Sequence, residues 1–372
     1  MKMPAAAIRE EILKKGGISF ARFMELALYC PETGYYERKS DSVGRRGDFM
    51  TSVSAGSLFG QLLAFQFAEW LGELTTGDLR LTIAEAGAHD GRLAADILGW
   101  LRANRPTLFD RMEYAIIEPS PMRRRWQEAT LAPFAPRVRW VAQLADLKSR
   151  QLLLFSNELL DAFPVHRLGW DAAEKTWFEW GVGLAGENFR WQKMSGPPAT
   201  GTQAKTADFA AELRALCPPE LEQVLPDGYI IEISPAAENW WREAAGILEH
   251  GKLMTIDYGL AAGELFSPAR TRGTLRAFQR HQVSGDLLAQ PGEQDLTAHV
   301  NFSAIQKTGE AAGLRTEQFC AQPQFLTRIL QRAVADKSFG PLNAKQVRQF
   351  QTLAHPEHLG RAFRVLVQGR GP

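Results

Sequence analysis

Cysteine is scarce in this chain: Cys30, Cys217 and Cys320 are the three among 372 residues. They lie far apart and show no C-x-x-C spacing, which excludes a disulfide framework and the usual zinc or iron–sulfur patterns. They read as small buried hydrophobes in a reducing compartment. Net charge is equally scarce. Lys and Arg total 43 against 42 Asp and Glu, which leaves +1 and no global field to recruit nucleic acid or an anionic membrane. No apolar run approaches the ~20 residues that span a bilayer. Residues 1–17 carry Glu10 and Glu11 and no apolar stretch followed by a cleavage site, so they resemble neither a signal nor a transit peptide, and the cytoplasm is the expected location. No three of the seven histidines stand at metal-ligand spacing, and no metal is expected. What is present is the balance of a globular protein with a full core: 45% hydrophobic and 23% charged residues. The length suits one large or two ordinary domains.

Periodicity divides the chain. Residues 5–15 and 18–29 read as helices, the second carrying Phe20, Phe23, Met24, Ala27 and Leu28 at helical spacing. A polar, glycine-rich loop follows from 32 to 57, too long for a plain connector and therefore expected to bind or cover something. An apolar helix occupies about 57–72. From residue 79 short apolar runs alternate with helices: strands at 79–84, 113–117, 138–141 and 152–155, helices at 91–101 and 121–131. Ser120-Pro121 supplies an N-cap and a first-turn proline for the latter. This order implies a doubly wound parallel sheet covered on both faces. Residues 164–195 read instead as an antiparallel meander, and 196–205 as a linker. The sheet pattern resumes at 228–233 and 252–256, a second loop covers 259–300, and Ser303 with Gln306 marks a capped helix 303–312. Strands near 314–319 and 363–368 flank two more helices. The division expected is 1–78, then 79–372 with the meander 164–205 and the loop 259–300 inserted.

Two constellations carry chemistry. In Glu85-Ala86-Gly87-Ala88-His89-Asp90-Gly91, a buried strand ends in an acid, Gly87 permits a tight turn, and Gly91 lets the next helix pack closely. Open α/β sheets bind ligands at the carboxyl ends of their strands. The free N–H groups of a helix start there suit a carboxylate as well as a phosphate. Glu118 ends the next strand, where an acid takes a ribose diol. The G-x-G-x-x-G spacing of a nicotinamide dinucleotide site is absent. The second constellation is Asn157-Glu158-Leu159-Leu160-Asp161-Ala162-Phe163-Pro164, directly after a buried strand. Asn157 or Glu158 could hold the amino-acid end of a cofactor, and Glu158 with Asp161 a cationic acceptor. The plainer alternative is that Asn157 and Asp161 cap a short helix.

These residues carry a resemblance. The chain resembles the MidA/DUF185 family of class I S-adenosylmethionine (SAM)-dependent methyltransferases, whose mitochondrial members are protein arginine methyltransferases acting in assembly of respiratory complex I. The likeness runs over about 16–330. It includes Gly34-Tyr35-Tyr36, Gly47 to Ser52, Phe59-Gly60, Glu85-Ala86-Gly87, Asn157 to His166, Asp257-Tyr258-Gly259 and Asp295 to Phe302. It implies a Rossmann-like α/β methyltransferase sheet, with an added substrate-side subdomain of helices and a β-meander. It implies SAM as cofactor, a protein substrate, and a cofactor role for Gly47, Asp48, Phe49 and Thr51 beside Glu85, Gly87, Gly91, Glu118 and Asn157. A homodimer is compatible with it. Three departures stand out. His89 replaces the middle glycine of the family's turn, Val53-Ser54 replaces Pro-Glu, and Gln143 replaces an acid, its amide still able to contact adenine.

Methyl transfer from a sulfonium is an in-line displacement, to which an enzyme mainly contributes alignment, worth up to ~7–11 kcal/mol. An arginine acceptor has to be oriented and to lose a proton, and paired carboxylates bind its guanidinium bidentately. Glu158 and Asp161 are the catalytic candidates. Phe49 could offer a ring face to the sulfonium. Two other readings stay open: a non-catalytic SAM-binding assembly protein, motivated by His89, Val53 and Ser54, and a small-molecule methyltransferase, permitted by the aromatics of 164–195. Arg270, Arg272, Arg276 and Arg280 form either a solvated loop or a docking surface for an acidic partner.

Overall fold

The computed structural model describes residues 3–38, 51–74, 81–194, 222–279, 282–337 and 339–371. They form two compact units. One comprises residues 40–159, 240–258 and 306–372, the other 1–39, 160–239 and 259–305. Residues 3–38 and the helix Leu58–Leu74 therefore belong to different units. Among the described residues no helix is long and apolar enough to cross a membrane, and no three His, Cys, Asp or Glu side chains cluster as metal ligands.

The first unit is the α/β sheet. Strands β2 (Leu81–Ala86), β3 (Met112–Ile117), β4 (Val138–Val141), β5 (Gln151–Asn157) and β10 (His250–Leu260) run parallel. β16 (Phe363–Arg370) and β15 (Arg315–Ala321) add an antiparallel edge, so the order is β15-β16-β10-β5-β2-β3-β4. Every residue of β2 and β5 is buried, as expected of strands covered on both faces. Ile83, Tyr114, Phe155 and Phe363 join the helical Phe65, Ile97 and Phe325 in one apolar core. Gly60 explains a close approach, since a Cβ there would lie 2.5 Å from Cβ of Asp96 on the helix Arg92–Asn104. Chain order reverses between β2 and β5, which makes their carboxyl ends the switch point where such sheets bind ligands.

The second unit draws on three distant stretches. β1 (Ile18–Ser19), β6 (His166–Asp171), β7 (Thr176–Ala185), β8 (Asn188–Lys193) and β9 (Ile230–Ile233) form an antiparallel sheet. The meander is as expected from the sequence, but β9 is a correction. It pairs antiparallel with β6 and does not continue the parallel sheet. Its apolar run arises because Ile231 and Ile233 enter a separate core with Leu168, Trp170 and Tyr229. The expected loop 259–300 also holds more structure: a short helix Ala262–Leu265 and a small sheet of β11 (Arg276–Gln279), β12 (Gln282–Ser284) and β13 (Asp295–Thr297). Strands this short give no readable alternation. β14 (Val300–Asn301) pairs with the last two residues of β10. The helix Phe302–Ala311 starts one residue earlier than expected. Asn301 Oδ1 caps it at 3.2 Å from the Ala304 N–H, while Ser303 Oγ accepts from the Ala262 N–H.

Candidate functional site

The turn after β2 reverses the chain through three left-handed residues, Gly87 (φ 79°), His89 (φ 46°) and Gly91 (φ 84°). A Cβ on Gly87 would come within 3.0 Å of the Leu159 side chain, and one on Gly91 within 3.3 Å of Leu131. Glycine is needed at both places for conformation and for space. His89 is left-handed as well, a conformation that glycine adopts more readily than histidine. Its ring lies 6.3 Å from that of Trp126, and its carbonyl accepts from Gln127 Nε2 at 3.0 Å. Asp90 Oδ1 accepts from the Arg92 N–H at the start of the following helix.

The two acids expected here differ in placement. Glu85 lies within β2 and is 2% exposed, where it accepts the Tyr114 hydroxyl at 2.6 Å. Burial pushes its carboxyl up to about 7, with Asp90 adding to the shift and the Tyr114 hydrogen bond opposing it. Its carboxylate is thus engaged inside the sheet. Glu118, just past β3, is also buried. Its Oε1 accepts from the Ser120 N–H at 2.9 Å and Arg123 Nε at 3.0 Å, and its Oε2 from Gln127 Nε2 at 2.9 Å. Gln127 is fully buried and joins three partners: the turn at His89, Glu118, and Trp140 Nε1, which donates to its Oε1. Sequence reading missed it. The available signal was a polar residue four positions before Leu131, on the buried face of a helix that starts at a proline. Gln143 is exposed and donates to Asp146, and no described hydrogen bond joins it to the turn or to Glu118.

At the end of β5, Asn157 is 8% exposed and donates through Nδ2 to Glu158 Oε1 at 3.1 Å, while its Oδ1 is buried with no hydrogen-bond partner among the described residues. Glu158 takes a left-handed conformation (φ 51°), and its Oε1 also accepts from the Ser52 N–H at 3.1 Å. Thr51 caps the turn Val53–Ala55 by accepting from the Ser54 N–H, and Ser54 Oγ returns a bond to the Thr51 carbonyl. These two hydrogen bonds tie Ser54 to Thr51 within this turn. Asp257, fully buried, accepts from the Leu159 N–H at 3.1 Å and fixes the exit from β5. Ser52 and Asp257 were part of the quoted motifs, but their pairing with residues 158 and 159 was not foreseen.

One unit therefore brings the turn 87–91, Glu118, Asn157, Glu158 and Thr51 together at the ends of adjacent strands. Asp161 belongs to the other unit, where its carbonyl accepts from the Ala298 N–H. That unit also buries Asp295, which accepts the Tyr36 hydroxyl at 2.7 Å. Gly47, Asp48, Phe49, Arg280 and Cys217 lie outside the described residues. The residues present fit an adenosyl amino acid: an orphaned buried acceptor on Asn157, a turn of left-handed residues in which a Cβ on Gly87 or Gly91 would be tight, and a buried acid after β3.

The model of a family of S-adenosyl-L-methionine-dependent methyltransferases matches residues 62–320. A Burkholderia thailandensis protein solved with bound S-adenosyl-homocysteine is 32% identical, with a TM-score of 0.84, over 99% of this chain and 92% of that one. The mitochondrial protein arginine methyltransferase NDUFAF7 homolog of Drosophila melanogaster is 26% identical over 99% of this chain and 85% of that protein. The human mitochondrial protein arginine methyltransferase NDUFAF7 is 26% identical over 95% and 80% respectively. The chain belongs to this family of SAM-dependent methyltransferases, and SAM is its cofactor.

Proposed function

We propose that this methyltransferase acts on a protein and modifies the guanidinium of an arginine side chain. The observation that carries this reading is the extent of the likeness. Relatives named protein arginine methyltransferases align over 95–99% of the chain, so the second unit is matched along with the sheet. When bound, SAM supplies an electrophilic methyl group on a sulfonium.

The chain's own residues then have distinct tasks. Gly87, Gly91 and the helix start at Arg92 would receive the methionine carboxylate, and Asn157 Oδ1 its ammonium. Glu118 would take the ribose diol, kept in place by the Ser120 N–H and Gln127. Glu85, engaged with Tyr114, would stiffen the strand end beneath the turn. Gln143 is assigned to adenine, and Gly47, Asp48, Phe49 and Thr51 to the cofactor on the family resemblance. Glu158 and Asp161 are assigned to the acceptor. Carboxylates there would orient the guanidinium and hold the charge that remains once a proton has left. Glu158 would do so while also fixing Ser52.

A cytoplasmic location and self-association into a homodimer complete the proposal, and the relatives named mitochondrial set the competing location. The test is incubation with methyl-labelled SAM and an extract, followed by mass spectrometry of proteins and metabolites. Methylarginine in protein is the expected product. Label confined to metabolites, or to other side chains, would overturn the arginine reading.

A further inference from the structure

The helix Pro121–Leu131 packs directly on the turn after β2. A Cβ on Gly91 would lie 3.4 Å from Gln127 Cα and 3.3 Å from Leu131 Cδ1. The first turn of the same helix holds the acid after β3, since Glu118 Oε1 accepts from the Ser120 N–H and from Arg123 Nε. One helix therefore touches both halves of the proposed cofactor site, the turn and the acid. All of these residues belong to the sheet unit.

Gln127 is where the two contacts meet. It is fully buried, and its Nε2 donates to the His89 carbonyl at 3.0 Å and to Glu118 Oε2 at 2.9 Å, so both of its N–H groups are engaged. Its Oε1 accepts from Trp140 Nε1 at 3.0 Å. An indole nitrogen only donates, so this third bond decides which end of the amide faces the turn and Glu118. Few side chains could serve all three partners. A carboxylate lacks the donors, an ammonium lacks the acceptor, and an aliphatic group leaves a carbonyl, a carboxylate oxygen and an indole N–H unserved. The preceding residue, Trp126, sets its ring 6.3 Å from that of His89, so successive residues of the helix hold His89 through its carbonyl and its side chain. Cohesion alone does not call for an amide here, because an aliphatic residue packs without the cost of burying polar atoms. The identity of its partners is what carries the inference: they are the two segments assigned to opposite ends of one ligand.

We propose that Gln127 is a positioning residue for S-adenosylmethionine. Its amide sets the spacing between the turn 87–91 and the Glu118 carboxylate, and so aligns the amino-acid and ribose ends of the cofactor site with each other. The proposal rests on the ribose reading of Glu118 given above. Gln127 acts through the His89 carbonyl and Glu118.

The test is calorimetry of S-adenosyl-homocysteine binding to the full chain, with circular dichroism confirming that each variant is folded. Gln127→Met keeps the length of the side chain and removes its hydrogen bonds. Affinity should fall by about tenfold or more. A merely structural glutamine would lower the unfolding midpoint and leave the affinity of the folded chain within about twofold of wild type, and that result would overturn the proposal. Gln127→Glu gives a second readout, which decides the matter if Gln127→Met does not fold. At about pH 8 the introduced carboxylate faces a carbonyl and a carboxylate, and binding should again fall by about tenfold or more. At about pH 5.5 the introduced carboxyl keeps a proton beside Glu118 and donates one hydrogen bond, so the deficit relative to wild type should shrink by about fivefold or more. The titratable groups on its partners, Glu118 with Arg123 and His89 with Asp90, are shared by wild type, which is therefore measured at each pH. A deficit independent of pH would overturn the proposal. Glu118→Ala separates the proposal from its premise. Weakened binding there, with unchanged binding in Gln127→Met, would overturn the proposal alone. Unchanged binding in Glu118→Ala would overturn the ribose reading and the proposal with it.

Discussion

The sheet unit and the second unit are built on opposite plans. In the sheet unit, β2, β3 and β4 pair in the order in which they are made, each reached through a helix or helical turns. Its chemistry consequently sits in local loops: 87–91 after β2, 118–120 after β3, 157–159 after β5. In the second unit Ile18 pairs with Val182 and His166 with Ile233, and one cavity gathers residues from 160–165, 232–238 and 298–305. The proposed cofactor chemistry is thus carried by short continuous segments, whereas the second unit is assembled from residues that only folding brings together.

Glu118→Ala should damage the sheet unit most. It removes the acceptor of three hydrogen bonds and leaves the partly buried Arg123 without its carboxylate. A loss of about 3 kcal/mol in urea unfolding is expected. If Glu118 takes the ribose diol as proposed, SAM affinity should fall by about a hundredfold with the loss of two hydrogen bonds. Unchanged SAM affinity by calorimetry would remove Glu118 from the cofactor site.

Glu85→Gln gives a pH-dependent effect in the same unit. The carboxyl is raised from 4.5 to about 7 in the folded chain, so the native state binds its proton more tightly than the unfolded state does. The stability this provides is complete below about 4.5 and is lost as pH rises through 7, a span of about 3 kcal/mol. Glutamine cannot ionise and keeps an acceptor for Tyr114. The variant should match wild type near pH 4 and exceed it by up to about 3 kcal/mol near pH 8. A stability difference independent of pH would contradict the assignment.

A third variant tests whether the units are separately cooperative. In the second unit His166 Nδ1 lies 2.7 Å from Glu179 Oε1, and both residues are buried. His166→Ala should cost about 2 kcal/mol. Faster hydrogen exchange should appear in β6, β7 and β9 and not in β2, β3 or β5. Equal acceleration in both units would erase the distinction between them.

The two plans explain what could be read in advance. Gly87, Gly91 and Glu118 were legible because strand, turn and helix follow one another in sequence. Glu85 was identified as an acid at a strand end, but the strand extends past it, and Glu85 shares a face with Ile83, where it meets the Tyr114 hydroxyl. Gln127 was hidden because a polar residue in a helical pattern normally marks the solvent face. Asp161 was grouped with Glu158 because both follow directly on a buried strand, and the chain passes from one unit to the other at Leu160. Glu232 was unreadable. Nothing in Ile230–Ile233 announces that Gly273 and Thr274 will fold against it.

His89 gives the smallest effect and the sharpest check on the turn itself. As a residue in place of glycine it suggests an obstructed site, and with it a protein that has lost turnover. The structure gives it φ 46°, a conformation costing an L-residue roughly 1 kcal/mol, and sets its ring near Trp126. The contact on which the turn depends is made by its carbonyl, which any residue retains. His89→Gly should therefore relieve the backbone strain and forfeit the ring contact with Trp126 and the approach of the imidazole Nδ1 to Asp90 Oδ1 at 3.8 Å. Stability should rise by no more than about 1 kcal/mol, because the greater freedom of glycine in the unfolded chain offsets part of the relief. SAM affinity should stay within about twofold of wild type. A large gain in affinity would mean that the imidazole obstructs the cofactor, and a large loss that it contacts the cofactor directly; either result would show that the side chain, and not only the backbone, shapes this end of the sheet.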